Sequence, residues 1–164
     1  MTWTSGYVRL DDRIATPHPV MRRLVAFVLQ DVARTIRARV DEELSQSGLT
    51  WVSFSLLLVA AEVDGLAQQT LAMKAGIDRN RASAVLEDLE YEGYVTRRRS
   101  RDDARRVDVA ITAEGRRLVA EGLSAVERAE LAAMRGLRRR ERERVHALLV
   151  RLVRDDTPAF FKRF

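Results

Sequence analysis

One stretch constrains this chain more than any other: Tyr94-Val-Thr-Arg-Arg-Arg-Ser-Arg-Asp-Asp-Ala-Arg-Arg-Val-Asp-Val-Ala-Ile-Thr112. Its two ends form short strands, and its middle is a polar tip, so the spacing predicts a hairpin. Between Arg97 and Arg106 lie six arginines, opposed only by Asp102 and Asp103, a local surplus of +4 in a chain whose whole net charge is +5. A hairpin that carries most of the surplus charge is an electrostatic footprint for phosphate.

The rest of the composition narrows the chemistry. All but two of the 29 basic residues are arginine, the exceptions being Lys74 and Lys162. Arginine presents a planar fork suited to phosphates and guanine edges, although a base-rich genome produces the same general bias. The absence of cysteine excludes disulfides, thiolate metal sites and a thiol redox switch. His18 and His146, far apart in sequence, make neither a histidine-rich metal site nor a nucleophile–base pair. Asp11, Asp12 and Arg13 stand where a signal peptide would be apolar, and the longest plain apolar run, Leu56 to Ala61, is too short to span a membrane. A soluble, cytoplasmic protein without a cofactor is expected.

Along the chain, residues 1–18 show little periodicity and are expected to form an irregular arm. Pro17 and Pro19 suit the first turn of a long helix, the main element of residues 19–48. In it Val20, Leu24, Val28, Val32, Ile36, Val40 and Leu44 recur at every fourth position. Four residues advance about 400°, so this stripe drifts by about 40° per step and winds around the helix. The two ends of the helix are therefore expected to face different partners, its own core and a second subunit. Ser47 and Gly48 close it.

Thr50 is the expected N-cap of a helix over 51–63, with Trp51, Phe54, Leu57, Leu58 and Ala61 inward. A turn at Asp64-Gly65 leads to a short helix, Gln68 to Lys74, broken at Ala75-Gly76. Asp78 caps the next helix, Arg79 to about Glu92, stopped by Gly93. Helical spacing puts Ala82, Val85, Leu86 and Leu89 on one arc and Asn80, Ala84 and Glu87 opposite, with Ser83 nearby and Arg79 and Arg81 on the flanks. Both arginines sit at the N-terminal end and Glu87, Asp88, Glu90 and Glu92 towards the C-terminal end. Such polarity suits insertion N-terminus first, where the helix dipole and the arginines meet phosphates.

Beyond the hairpin, Thr112 caps a helix to about Arg135, and a last helix, Arg138 to Arg154, carries Val145, Leu148, Leu149, Leu152 and Val153 on one face. The alternating arginines and glutamates from Arg138 to Arg144 are expected to be a solvated, salt-bridged surface. Phe160, Phe161 and Phe164 in the tail are expected to pack on a partner subunit.

Two helices joined by a tight turn and followed by a basic hairpin constitute a winged helix. The predicted fold is mainly α: a winged helix-turn-helix over 49–112 with a two-stranded wing, flanked by N-terminal and C-terminal helices (113–164) that form a dimerisation domain. From Leu24 to Val153 the chain resembles the MarR family of bacterial transcriptional regulators. Leu49-Thr50, Gln68-Gln69-Thr-Leu-Ala72, Gly76-Ile-Asp78, Leu89-Glu90, Gly93-Tyr-Val95 and Arg97 carry the resemblance, and Asp103-Ala-Arg105 followed by Ile111-Thr-Ala-Glu-Gly115 is its specific part.

The resemblance implies a two-fold dimer with intertwined terminal helices, each subunit presenting one winged helix to double-stranded DNA at a short inverted repeat. Arg79, Asn80, Arg81, Ser83 and Ala84 would read the major groove, Gln68 and Gln69 would also bind DNA, and Arg97, Arg98, Arg99, Arg101, Arg105 and Arg106 would serve the wing, with Arg105 in the minor groove. Asp103 would brace the wing internally. It also implies a repressor without enzymatic activity that releases DNA on binding a small, often aromatic, effector between the dimer helices and the winged helix.

This chain departs from the family pattern at three reading-helix positions: Arg81 stands where threonine is frequent, and Ala84 and Asp88 where arginine is. The acid and the arginine of the urate-responsive branch are missing near Ser55 and Ala84, and the absence of cysteine argues against peroxide sensing. The alternative is a winged-helix module that binds protein instead of DNA, which has no need of a +4 hairpin beside Arg79 and Arg81.

Overall fold

The structure is a computed structural model that describes residues 23–63, 65–100 and 106–156. The expected arm, the entry of the first helix at Pro17 and Pro19, the wing tip and the aromatic tail lie outside the described residues. The chain divides into two units, Met1–Thr35 and Ile36–Phe164. The order of elements is α1 (Val25–Ser45), α2 (Trp51–Glu62), β1 (Leu66–Ala67), α3 (Gln68–Lys74), α4 (Arg79–Tyr91), β2 (Val95–Arg99), β3 (Val107–Ile111), α5 (Ala113–Ala133) and α6 (Arg139–Asp156).

Three helices start where a capping side chain replaces the missing backbone partners. Thr50 and Ser53 form a reciprocal capping box at the head of α2. Asp78 Oδ1 accepts from the backbone N–H groups of Asn80 and Arg81, at 3.0 and 3.2 Å. Thr112 Oγ1 accepts from the N–H of Gly115 at 3.0 Å. Between α3 and α4 the chain turns through Gly76, whose φ of 66° favours a residue without a Cβ.

The core belongs to the second unit and centres on α2. Phe54 and Leu57 are buried as the helical spacing predicts, but so are Val52, Leu56 and Ala60 on other faces, while Trp51, Leu58 and Ala61 are only partly buried. The one-faced expectation for this helix is therefore corrected. α2 packs against α3, α4, α5 and β3 at once, so it has no solvent face to mark. Val40 and Leu44 of α1, Leu71 of α3, Leu86 of α4, and Val95 and Val109 of the sheet close the cluster.

The sheet has three antiparallel strands in the order β1-β3-β2: the expected two-stranded wing, β2 and β3, and a third strand, β1, beside it. Val95 pairs with Ile111 and Arg99 with Val107, and Ser100 N–H continues the hairpin by donating to the Arg106 carbonyl at 2.9 Å. Leu66 and Ala67 add the third strand against Val109 and Asp108. A two-residue strand shows no alternation, which is why the sequence did not reveal it.

In the first unit, the apolar residues Leu24, Val25, Phe27, Val28, Leu29 and Val32 are all exposed. In the second unit, α6 has no buried residue among those described, and Val145, Leu148, Leu149, Leu152 and Val153 are exposed along it. The arginine–glutamate run at its start is solvated, with Arg139 paired to Glu143 at 2.8 Å. No described helix is long and apolar enough to cross a membrane.

Candidate nucleic-acid interface

The site is built on α3, α4 and the hairpin. α4 buries Ala82, Leu86 and Leu89 and part-buries Val85, which turns Arg79, Asn80, Arg81 and Ala84 outward. Asp78 spends its carboxylate on the first backbone N–H groups, so the first turn is capped from within while both arginine side chains stay in solvent. Ser83 is half-buried, and its hydroxyl donates to Glu87 Oε1 at 3.4 Å. On α3, Gln69 is exposed, whereas Gln68 is half-buried with its Oε1 enclosed and lacking a hydrogen-bond partner. An open groove of about 400 Å³ runs between α3 and α4, lined by Gln69, Thr70, Met73, Ile77 and Arg79.

In the hairpin, pleating separates residues that look alike in sequence. Val95, Arg97 and Arg99 fall on one side of β2, Thr96 and Arg98 on the other. Arg98 and Arg99 are exposed. Arg106 is half exposed and pairs with Asp108, two residues on in β3. Arg97 differs: its side chain is only 17% exposed and lies 3.6 Å from a carboxylate oxygen of both Glu87 and Glu90. Arg101, Asp103 and Arg105 lie outside the described residues. Of the expected contacts, Arg79, Asn80, Arg81, Ala84, Gln69, Arg98, Arg99 and Arg106 are thus accessible, and Arg97 and Gln68 are drawn inward.

The wing root is tied down at several points that sequence reasoning passed over. Thr112 N–H donates to the carbonyl of Tyr94 at 3.0 Å, and the Thr112 hydroxyl lies 2.9 Å from the carbonyl of Gly93. Gly115 passes so near that a Cβ on it would sit 2.2 Å from the Tyr94 carbonyl oxygen. The motif Ile111-Thr-Ala-Glu-Gly115 is therefore a joint: the threonine caps α5 and holds the strands, and the glycine lets α5 lie against them.

A second pocket, of about 280 Å³, opens where the α1–α2 turn meets α4 and α5. Leu49, Val85, Leu89 and Leu118 make its apolar wall, and Asp88 and Glu92 belong to its lining.

A pair of helices followed by a basic antiparallel hairpin, with a charged reading helix capped at its exposed end, defines a winged helix-turn-helix protein. The family model described as MarR family matches residues 47–106, from the end of α1 to the start of β3. The chain is 30% identical over 124 residues to the HTH-type transcriptional repressor Rv2887 of Mycobacterium tuberculosis, covering 74% of this chain and 89% of that protein. It is 32% identical over 141 residues to a protein of Thauera aromatica assigned to regulation of the hcr operon, covering 85% and 81%.

Among solved structures, the transcriptional repressor CouR bound to a 23-mer DNA duplex superposes with a TM-score of 0.74 at 26% identity, covering 82% of this chain and 96% of that one. CouR from Rhodococcus jostii RHA1 is also known bound to p-coumaroyl-CoA (TM-score 0.68, 26% identity, 80% and 93% covered). Rv2887 is known in complex with p-aminosalicylic acid (TM-score 0.67, 26% identity, 79% and 98% covered). The chain belongs to the MarR family of transcriptional regulators.

Proposed function

We propose that this protein is a dimeric repressor that binds a short inverted repeat in double-stranded DNA and is released from it by a small aromatic effector. The observation that carries the reading is the pairing of an exposed basic first turn, Arg79-Asn80-Arg81, with a hairpin whose Arg98 and Arg99 are also exposed. Arg79 and Arg81 meet phosphates at the edges of the major groove, and Asn80 reaches a base edge. Ala84 offers only a methyl-sized contact, suited to a thymine methyl. Arg98, Arg99 and Arg106, with Arg101 and Arg105 of the wing tip, supply backbone charge, and Arg105 enters the minor groove. The wide apolar stretches exposed on α1 and, separately, on α6 are those a second copy of the chain covers.

Relatives that bind p-aminosalicylic acid and p-coumaroyl-CoA support an aromatic effector. The 280 Å³ pocket beside α4 is of a size for one ring, and its occupant would press on the C-terminal half of the reading helix. Asp88 and Glu92 in its lining disfavour an anionic carboxylate and favour a neutral or cationic aromatic.

The deciding experiment selects duplexes from a randomised pool and measures affinity by fluorescence anisotropy across ionic strengths. Half-sites spaced by about 10 bp, or a multiple, are expected from two winged helices on one face. Log K should fall with log salt by about 0.9 for each phosphate neutralised. Duplex affinity that ignores ionic strength, with no enriched repeat, would overturn the reading.

A further inference from the structure

The densest basic stretch of the chain contains one arginine that the fold has withdrawn. Arg97 lies opposite Val109, a fully buried residue, on the pleat that carries Val95 into the core. Its Nη1 is shared between Glu87 and Glu90 at 3.6 Å each, and its backbone N–H donates to Glu90 Oε1 at 3.0 Å. Glu87 also accepts the hydroxyl of Ser83 on the reading face. The Nε of Arg97 is buried and has no acceptor of its own. A mostly buried guanidinium set beside two carboxylates of α4 has its charge locally outweighed and offers no free cation to a phosphate.

We infer that Arg97 is a positioning residue, not a DNA contact: it ties wing strand β2 to reading helix α4 and fixes the angle between the two. It has a second effect. Helical spacing puts Glu87 on the same face as Asn80 and Ala84, the face turned to DNA, where a bare carboxylate would repel the backbone. Arg97 offsets part of that charge from behind. This inference rests on the DNA-binding reading above and removes Arg97 from the wing contacts that the family resemblance implies.

A brace and a phosphate contact predict opposite outcomes when the carboxylates are neutralised. Glu87→Gln/Glu90→Gln removes two negative charges near a polyanion, so charge alone predicts tighter binding. Glutamine at position 90 still accepts the Arg97 N–H, so the strand keeps its backbone bond. Under the inference, binding to a duplex selected with the wild-type protein weakens instead, by about fivefold or more. Arg97→Gln weakens it comparably, and combining all three changes costs little beyond either set, because one coupling is being removed. Both variants should also lose any preference for A·T-rich flanks read by the wing while keeping the central base preference. A protein merely less stable would lose active fraction and keep both preferences.

Tighter binding by the glutamine pair overturns the inference, as does an Arg97→Gln effect of equal size in both backgrounds. If Arg97→Gln fails to fold, the sign of the glutamine-pair effect and its flank preference decide alone. Failure of the DNA-binding reading looks different: the wild-type protein itself then shows no salt-dependent affinity for duplex.

Discussion

Tyr94, Thr112 and Gly115 meet within one hydrogen-bonding distance of each other at the root of the wing, and each is there for a separate reason. The threonine hydroxyl accepts from Gly115 N–H and so starts α5, while its backbone N–H ties the strand end to Tyr94. At position 115 a side chain would meet backbone, which cannot rotate out of the way. Gly115→Ala should therefore destabilise by about 1–3 kcal/mol despite alanine's better helix propensity. A thermal midpoint equal to or above the wild type would show that α5 can shift away without cost. On the reading face, Asn80→Ala should leave the midpoint unchanged and relax base preference at one operator position, by about 1–3 kcal/mol if it makes a bidentate contact. Uniform loss across all positions would make Asn80 a backbone contact instead. The capping residues Thr50, Asp78 and Thr112 were legible in the sequence because a short polar side chain before an apolar period has one dominant use. Arg97 was not. Among Arg97, Arg98 and Arg99 no residue type marks the inner pleat, and the available signal was two positions of alternation from Val95 with Glu90 upstream on α4.

At the level of elements, α2 and α6 are opposites. α2 is enclosed on most sides by its own subunit, so truncating it opens a cavity, and Leu57→Ala should cost about 2–5 kcal/mol. α6 buries none of its described residues, and Leu148 and Leu152 are 43% and 50% exposed. Leu148→Asp/Leu152→Asp should leave the winged helix folded, as judged by circular dichroism, and abolish self-association. A variant that remains associated would move the interface off α6. The sequence made α4 and α6 readable, since each has one apolar and one polar side. It misled on α2, where a run such as Leu56-Leu-Leu-Val-Ala-Ala61 has no polar side from which to read a period. It was silent on β1, whose two residues are defined only by their partners in β3.

For the whole molecule, sedimentation at micromolar concentration should give twice the chain mass of 18.7 kDa. A clean folded monomer would remove the basis for an inverted-repeat operator. If α6 and the exposed start of α1 are covered only in the dimer, the thermal midpoint should rise with protein concentration. A midpoint independent of concentration over two decades would argue that those faces tolerate water. The joint at Thr112 has a mechanical reading as well. α5 is 21 residues long, a rod of about 32 Å. Its near end is fastened to both wing strands, and near its far end Arg128 is paired with Glu43 of α1. Such a rod is a lever with a fixed foot. A tilt of about 10° sweeps its far end through about 5 Å, one helical turn. A few ångströms at the far end of α5 thus correspond to about 10° between that helix and the wing strands at its foot.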